Sequence, residues 1–205
     1  MSLSLKARVT AALLALIAWS ALVLQLYLTL ATSHAEGVPV SRTLIRYFSF
    51  FTILSNLLVA FVLARSARDA ERPGLQAAAA VYISVVGLGY TLLLRHIWNP
   101  QGLQKLADIL LHDVVPVGYV LFWLIFCRKR KPLAWRSAFL WLIWPAIYLA
   151  YSMVRGSFTG WYPYHFLDPA EAGSASVVSV IAVFVLAFLA LGCAAIALTR
   201  SSFRD

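Results

Sequence analysis

The stretch DILLHDVVP, residues 108–116, keeps three ionisable side chains and a proline inside an otherwise apolar run. Within a membrane helix each ionisable group costs about 2.5–3.5 kcal/mol on insertion scales, so such groups face the protein interior and mark function. Asp108 and His112 stand at i and i+4 on one helix face, where a carboxylate fixes an imidazole's tautomer and raises its basicity. Asp113 lies about 100° round the helix and needs a different partner. Pro116 removes a backbone hydrogen bond from the turn that carries His112, which predicts a kink beside it. A pair of this kind serves either as a catalytic base with its orienting group or as a packing device.

A second polar seam runs through RYFSFFTILSNLL, residues 46–58. Read as one helix, it places Ser49, Thr52 and Asn56 at i, i+3 and i+7, with Ser55 beside them and phenylalanines on the other faces. Both seams run inward from the same side. At 1.5 Å per residue Thr52 lies about 12 Å down and His112 about 13.5 Å down, so a hydroxyl and an imidazole come to matched depth. In contact, they would let His112 take the proton of Thr52 while Asp108 orients His112 and Ser55 or Asn56 donates to an oxyanion. The outer mouth gathers Arg46, Arg95, Arg155, Trp161 and Tyr164 as candidate substrate-binding residues. The arginines form a rim suited to an anionic headgroup or a fatty-acid carboxylate, and GSFTGWYPYHFLDP (156–169) has the Gly, Pro and aromatic content of an ordered cap.

These side chains need a scaffold that crosses lipid. The chain of 205 residues is 62% hydrophobic and only 12% charged, with mean hydropathy +0.82, which excludes an ordinary soluble domain. Six apolar windows, roughly 8–31, 43–64, 74–95, 103–127, 134–154 and 174–199, each approach or exceed the ~20 residues that span a bilayer. They predict an all-α integral membrane protein, a bundle of six transmembrane helices forming a single domain over residues 1–205. The first window exceeds the ~7–15 apolar residues of a cleaved signal peptide and is read as a membrane helix.

The net charge of +9 does not point to nucleic acid, because the basic residues sit between apolar runs and not on a solvated face. With six spans the two ends of the chain share a side. That side holds Lys6, Arg8, Arg65, Arg68, Arg72, Arg128, Lys129, Arg130, Lys131, Arg136, Arg200 and Arg204; opposite fall Arg42, Arg46, Arg95, Lys105 and Arg155. Twelve against five is a positive-inside bias that predicts both termini cytoplasmic and makes the basic run at 128–131 a topology anchor. Cys127 and Cys193 both lie toward the cytoplasmic ends of their spans, so no disulfide is expected. The four histidines (34, 96, 112, 165) lack ligand spacing, so neither metal nor cofactor is expected.

FFTILSN (50–56), LLHDVVP (110–116) and TGWYPY (159–164), set along six short spans, resemble the family of the androgen-induced-gene and androgen-dependent TFPI-regulating proteins, six-helix membrane threonine hydrolases. The resemblance covers nearly the whole chain through short motifs. It implies hydrolysis of fatty acid esters of hydroxy fatty acids or similar lipid esters, with the nucleophile at Thr52 and the base at His112. Animal members carry an Asn-His pair where this chain has Asp108 and Ile109, a departure that fits a bacterial branch in the inner membrane.

Two functions of different class stay open on the residues. One is a lipid ester hydrolase whose partner is a lipid substrate within the bilayer. The other is a proton-linked small transporter or channel in which Asp108, His112 and Asp113 titrate. The lack of an internal repeat and of a deeper charged station in the spans favours the hydrolase. The residues are silent on oligomeric state.

Overall fold

The structure, a computed structural model, describes residues 3–70, 72–129 and 131–201; Arg130 and Arg204 of the basic set lie outside them. The described residues are helical and contain no strand. In chain order they form α1 (Leu5–Ala35), α2 (Val40–Tyr47), α3 (Phe51–Ala67) and α4 (Pro73–Gly89), the last running into a π-helical turn (Tyr90–Leu94). Next comes α5 (Gly102–Ile109), which continues through a π turn (Leu110–Val114) into α6 (Val115–Phe122) and a further π turn (Trp123–Cys127). The chain ends with α7 (Arg136–Leu140), α8 (Ile143–Thr159), α9 (Pro169–Ala172) and α10 (Ser174–Ser201). Five runs, Leu5–Ala35, Pro73–Leu94, Gly102–Cys127, Arg136–Thr159 and Ser174–Ser201, are long and apolar enough to cross a membrane, and α2 with α3 makes a sixth if the bent pair is one span.

That pair corrects the expectation of one continuous helix over 43–64. The axis turns by 75° between α2 and α3. Phe50 is extended, at φ −87° and ψ 128°, so the helical hydrogen-bond ladder stops there and restarts at Phe51. Polar groups left by the break find partners: the Ser49 hydroxyl donates to the Ile45 carbonyl at 2.5 Å, and Tyr148 donates to the Ser49 carbonyl at 3.0 Å. Tyr47 pins the other side of the bend to α1 through the Leu22 carbonyl at 2.8 Å. Ser49 therefore lies in the break, off the helix face that carries Thr52 and Asn56.

Packing follows side-chain size. α1 lies along α3, and apart from Leu22 its buried residues are all alanines, small enough to let two helices approach closely. α4 is the most deeply buried long helix, touching α3, α6 and α10 and burying Ala77, Ala78, Ala79, Ala80 and Ile83. By contrast α8 buries only Ser152 and Gly156.

Candidate active site

His112 sits in the π turn between α5 and α6, and Pro116 accounts for part of that geometry. Having no N–H, Pro116 cannot bond the His112 carbonyl as an α-helix would require. One residue earlier, the Val115 amide bonds Leu110, which leaves the Leu111 carbonyl free. Asn56 takes up that carbonyl through Nδ2 at 3.2 Å. Gly87 of α4 lies so near that a Cβ there would stand 3.4 Å from the His112 carbonyl and 3.3 Å from Pro116 Cβ. Removing a side chain at Gly87 thus lets α4 bring the next residue of interest, Tyr90, against the imidazole.

The ring nitrogens of His112 face two ways. Nδ1 lies 3.1 Å from Asp108 Oδ1 and 3.1 Å from the Asp108 carbonyl, while Nε2 lies 3.4 Å from Thr52 Oγ1. This network assigns the proton to Nδ1 and leaves the Nε2 lone pair toward Thr52. Asp108 is only 7% exposed, and its second oxygen accepts a hydrogen bond from Tyr90 at 2.5 Å. The Tyr90 ring also stacks on the imidazole, with centroids 4.0 Å apart and planes 15° apart. Arg95 lies over the Tyr90 ring at 4.9 Å and pairs with Asp113, the partner that the sequence required for that carboxylate.

Thr52 occupies the first turn of α3, where amide N–H groups have no acceptor within the helix. Its own N–H donates to the Tyr164 hydroxyl at 3.4 Å, and its Oγ1 is 3.5 Å from the same hydroxyl. Burial raises the Tyr164 phenol above its ordinary range, so it stays protonated near neutrality and can donate. Tyr164 belongs to the segment after α8. That segment folds back over the α2–α3 bend, with Phe50 edge-on to Tyr164 at 5.7 Å and to Trp161 at 6.0 Å. Below lies an apolar cavity of about 260 Å³, with Thr52, Tyr90 and Tyr164 in its wall and Leu149, Ile181 and Phe188 among its apolar lining.

The other expected residues are placed differently. Asn56 spends its amide on the Thr52 and Leu111 carbonyls, at 2.9 and 3.2 Å, which leaves neither hydrogen for an oxyanion. Ser55 is fully buried, and its hydroxyl has no hydrogen-bond partner among the described residues. The group beside Thr52 that can donate to an oxyanion is Tyr164. The three-arginine rim also divides: Arg95 is engaged by Asp113, whereas Arg46 and Arg155 both lie against Trp161, at 5.6 and 4.5 Å. Arg155 further donates to Ser49 Oγ. No cluster of three metal-ligating side chains occurs among the described residues. Sequence reasoning missed Tyr90 altogether, and its only signal is a tyrosine one turn before Arg95 at the end of an apolar run. Compared with known proteins, the chain matches no family model, no curated protein and no solved structure.

Proposed function

We propose that the protein is an intramembrane lipid ester hydrolase with Thr52 as nucleophile and His112 as general base, acting on fatty acid esters of hydroxy fatty acids or similar lipid esters. The observation that carries the reading is the relay from Asp108 through His112 to Thr52, ending at the wall of an apolar cavity. The 3.4 Å between Thr52 and His112 is long for a hydrogen bond, as nucleophile and base pairs often are before substrate closes on them.

Thr52 Oγ1 attacks the ester carbonyl carbon as its proton passes to His112 Nε2. The oxyanion takes a hydrogen bond from the Tyr164 hydroxyl. When the bond to the alcohol oxygen breaks, His112 returns the proton to that oxygen and Thr52 is left acylated. Water then gives a proton to His112 and adds to the acyl carbon; release of the acid restores the threonine hydroxyl. Asp108 steadies the imidazolium formed at each step. The acyl chain lies in the cavity, in a bundle of six spans with both termini cytoplasmic, as the positive-inside bias supports.

Detergent-purified protein should label with a fluorophosphonate probe and hydrolyse lipid esters. Thr52→Ala and His112→Ala should each lose about 10³-fold or more in kcat, and the double variant should be little worse, because members of a catalytic unit are strongly non-additive. Asp108→Asn should be milder. Turnover retained in a well-folded Thr52→Ala protein would end the nucleophile assignment. Proton flux without ester hydrolysis in the wild type would transfer Asp108 and His112 to the transport reading.

A further inference from the structure

Two guanidiniums converge on one indole beside the candidate nucleophile. Arg155 lies 4.5 Å and Arg46 5.6 Å from the centre of the Trp161 ring. Neither forms an ion pair among the described residues, where the ion pairs are Arg95 with Asp113 and His112 with Asp108. The Arg46 guanidinium makes no hydrogen bond there either; Arg155 donates to Ser49 Oγ, whose own proton goes to Ile45. Both guanidiniums lean on one ring with no carboxylate paired to either among the described residues, and an anion that neutralises them removes their mutual repulsion. Both arginines are partly buried, which weakens solvent screening of that repulsion.

The cluster is built into the same framework as Thr52. Ser49, which holds Arg155, is three residues before Thr52 across the bend, and Phe50 packs edge-on to both Trp161 and Tyr164. An anion held at the arginines is therefore linked to Thr52 through Ser49 and through the Trp161, Phe50 and Tyr164 rings. Two uncompensated guanidiniums match a phosphate monoester, with its charge of about −1.5 to −2 near neutrality, better than a singly charged carboxylate. Guanidinium also binds phosphate oxygens bidentately.

We propose that Arg46, Arg155 and Trp161 form a phosphate-binding site, and that among the lipid esters of the hydrolase reading the one presented to Thr52 carries a phosphate monoester on its alcohol half in place of a hydroxy fatty acid's carboxylate, as in an acylated glycerol phosphate. The second half of this statement rests on the hydrolase reading; the first does not. Binding separates them when measured on the full-length Thr52→Ala protein in phosphatidylcholine nanodiscs, where no turnover is required. The probes are oleoyl lysophosphatidic acid, oleic acid and monoolein.

The phosphate lipid should bind at least about tenfold more tightly than either of the others, and Arg46→Gln should weaken it about tenfold without weakening monoolein. Arg155→Gln should do the same; thermal unfolding shows whether losing the Ser49 contact has cost the fold. Arg46→Gln stands as the independent arm, since the Arg46 guanidinium makes no hydrogen bond or ion pair among the described residues. Displacement by inorganic phosphate would identify a site for soluble phosphate, and resistance to it a site for lipid-borne phosphate. Oleic acid binding as tightly as lysophosphatidic acid, or a folded Arg46→Gln protein binding it unchanged, overturns the proposal. Phosphate-lipid binding with no hydrolysis by the wild type removes the enzyme reading and leaves the site.

Discussion

Tyr90 both donates to Asp108 and stacks on His112, and the two contacts can be separated by removing one oxygen. Tyr90→Phe keeps the ring 4.0 Å from the imidazole and leaves Asp108 Oδ2 buried without its donor. A hydrogen bond to a charged group is worth about 1.5–3 kcal/mol, so kcat should fall about ten- to hundredfold with KM little changed. Tyr90→Leu, which also removes the stack, should fall further and lower Tm; wild-type kcat in Tyr90→Phe would exclude a positioning role. Asp108 and His112 are legible in the sequence because i and i+4 are neighbours on any helix, and the π turn leaves that contact intact. Tyr90 is not, since a tyrosine near the end of an apolar run has the profile of an interfacial anchor. Nor does one sequence say which helix lies beside which, and that decides that the second hydrogen of the Asn56 amide goes to the Leu111 carbonyl.

The long apolar runs announce where helices lie, but the break at Phe48–Phe50 carries neither glycine nor proline and leaves no composition signal. It is held by tertiary contacts: Tyr47 at the end of α2 reaches the Leu22 carbonyl of α1, and Tyr148 and Arg155 of α8 bond Ser49. Matched depth therefore brings Thr52 to His112 by a coarser route than the real one, in which α3 begins one residue before Thr52. The segment after α8 depends on Gly156, where an added Cβ would fall 2.1 Å from the Tyr162 ring. Gly156→Ala must push that ring aside, and with it the strand of chain that carries Trp161 and Tyr164. Overpacking of this kind costs about 1–3 kcal/mol. Ester hydrolysis and Tm should both drop, and Gly156→Ala with Tyr162→Ala together should be less harmful than the sum of the two singly. Strict additivity would place the segment's support elsewhere.

For the molecule as a whole, the charge bias makes an orientation testable without any assay of function. Cysteines placed singly at exposed Ser157, Phe158 or Thr159 should react with a membrane-impermeant maleimide added from outside intact cells, and labelling from the cytoplasmic side alone would reverse the bundle. The weak hold on α8 has a kinetic consequence. One wall of the cavity is this helix, and with only Ser152 and Gly156 buried it has the least packing to lose among the long helices by leaning outward, held chiefly by Tyr148 and Arg155 at Ser49. If α8 faces the bilayer as the proposed function requires, a lipid diffusing in its plane meets that wall directly and encounter is two-dimensional. The rate of ester hydrolysis should then follow the ester's mole fraction among the lipids and not its amount per litre. Adding inert phosphatidylcholine at constant total ester should slow turnover by surface dilution, and a rate indifferent to that dilution would mean that substrate arrives from water.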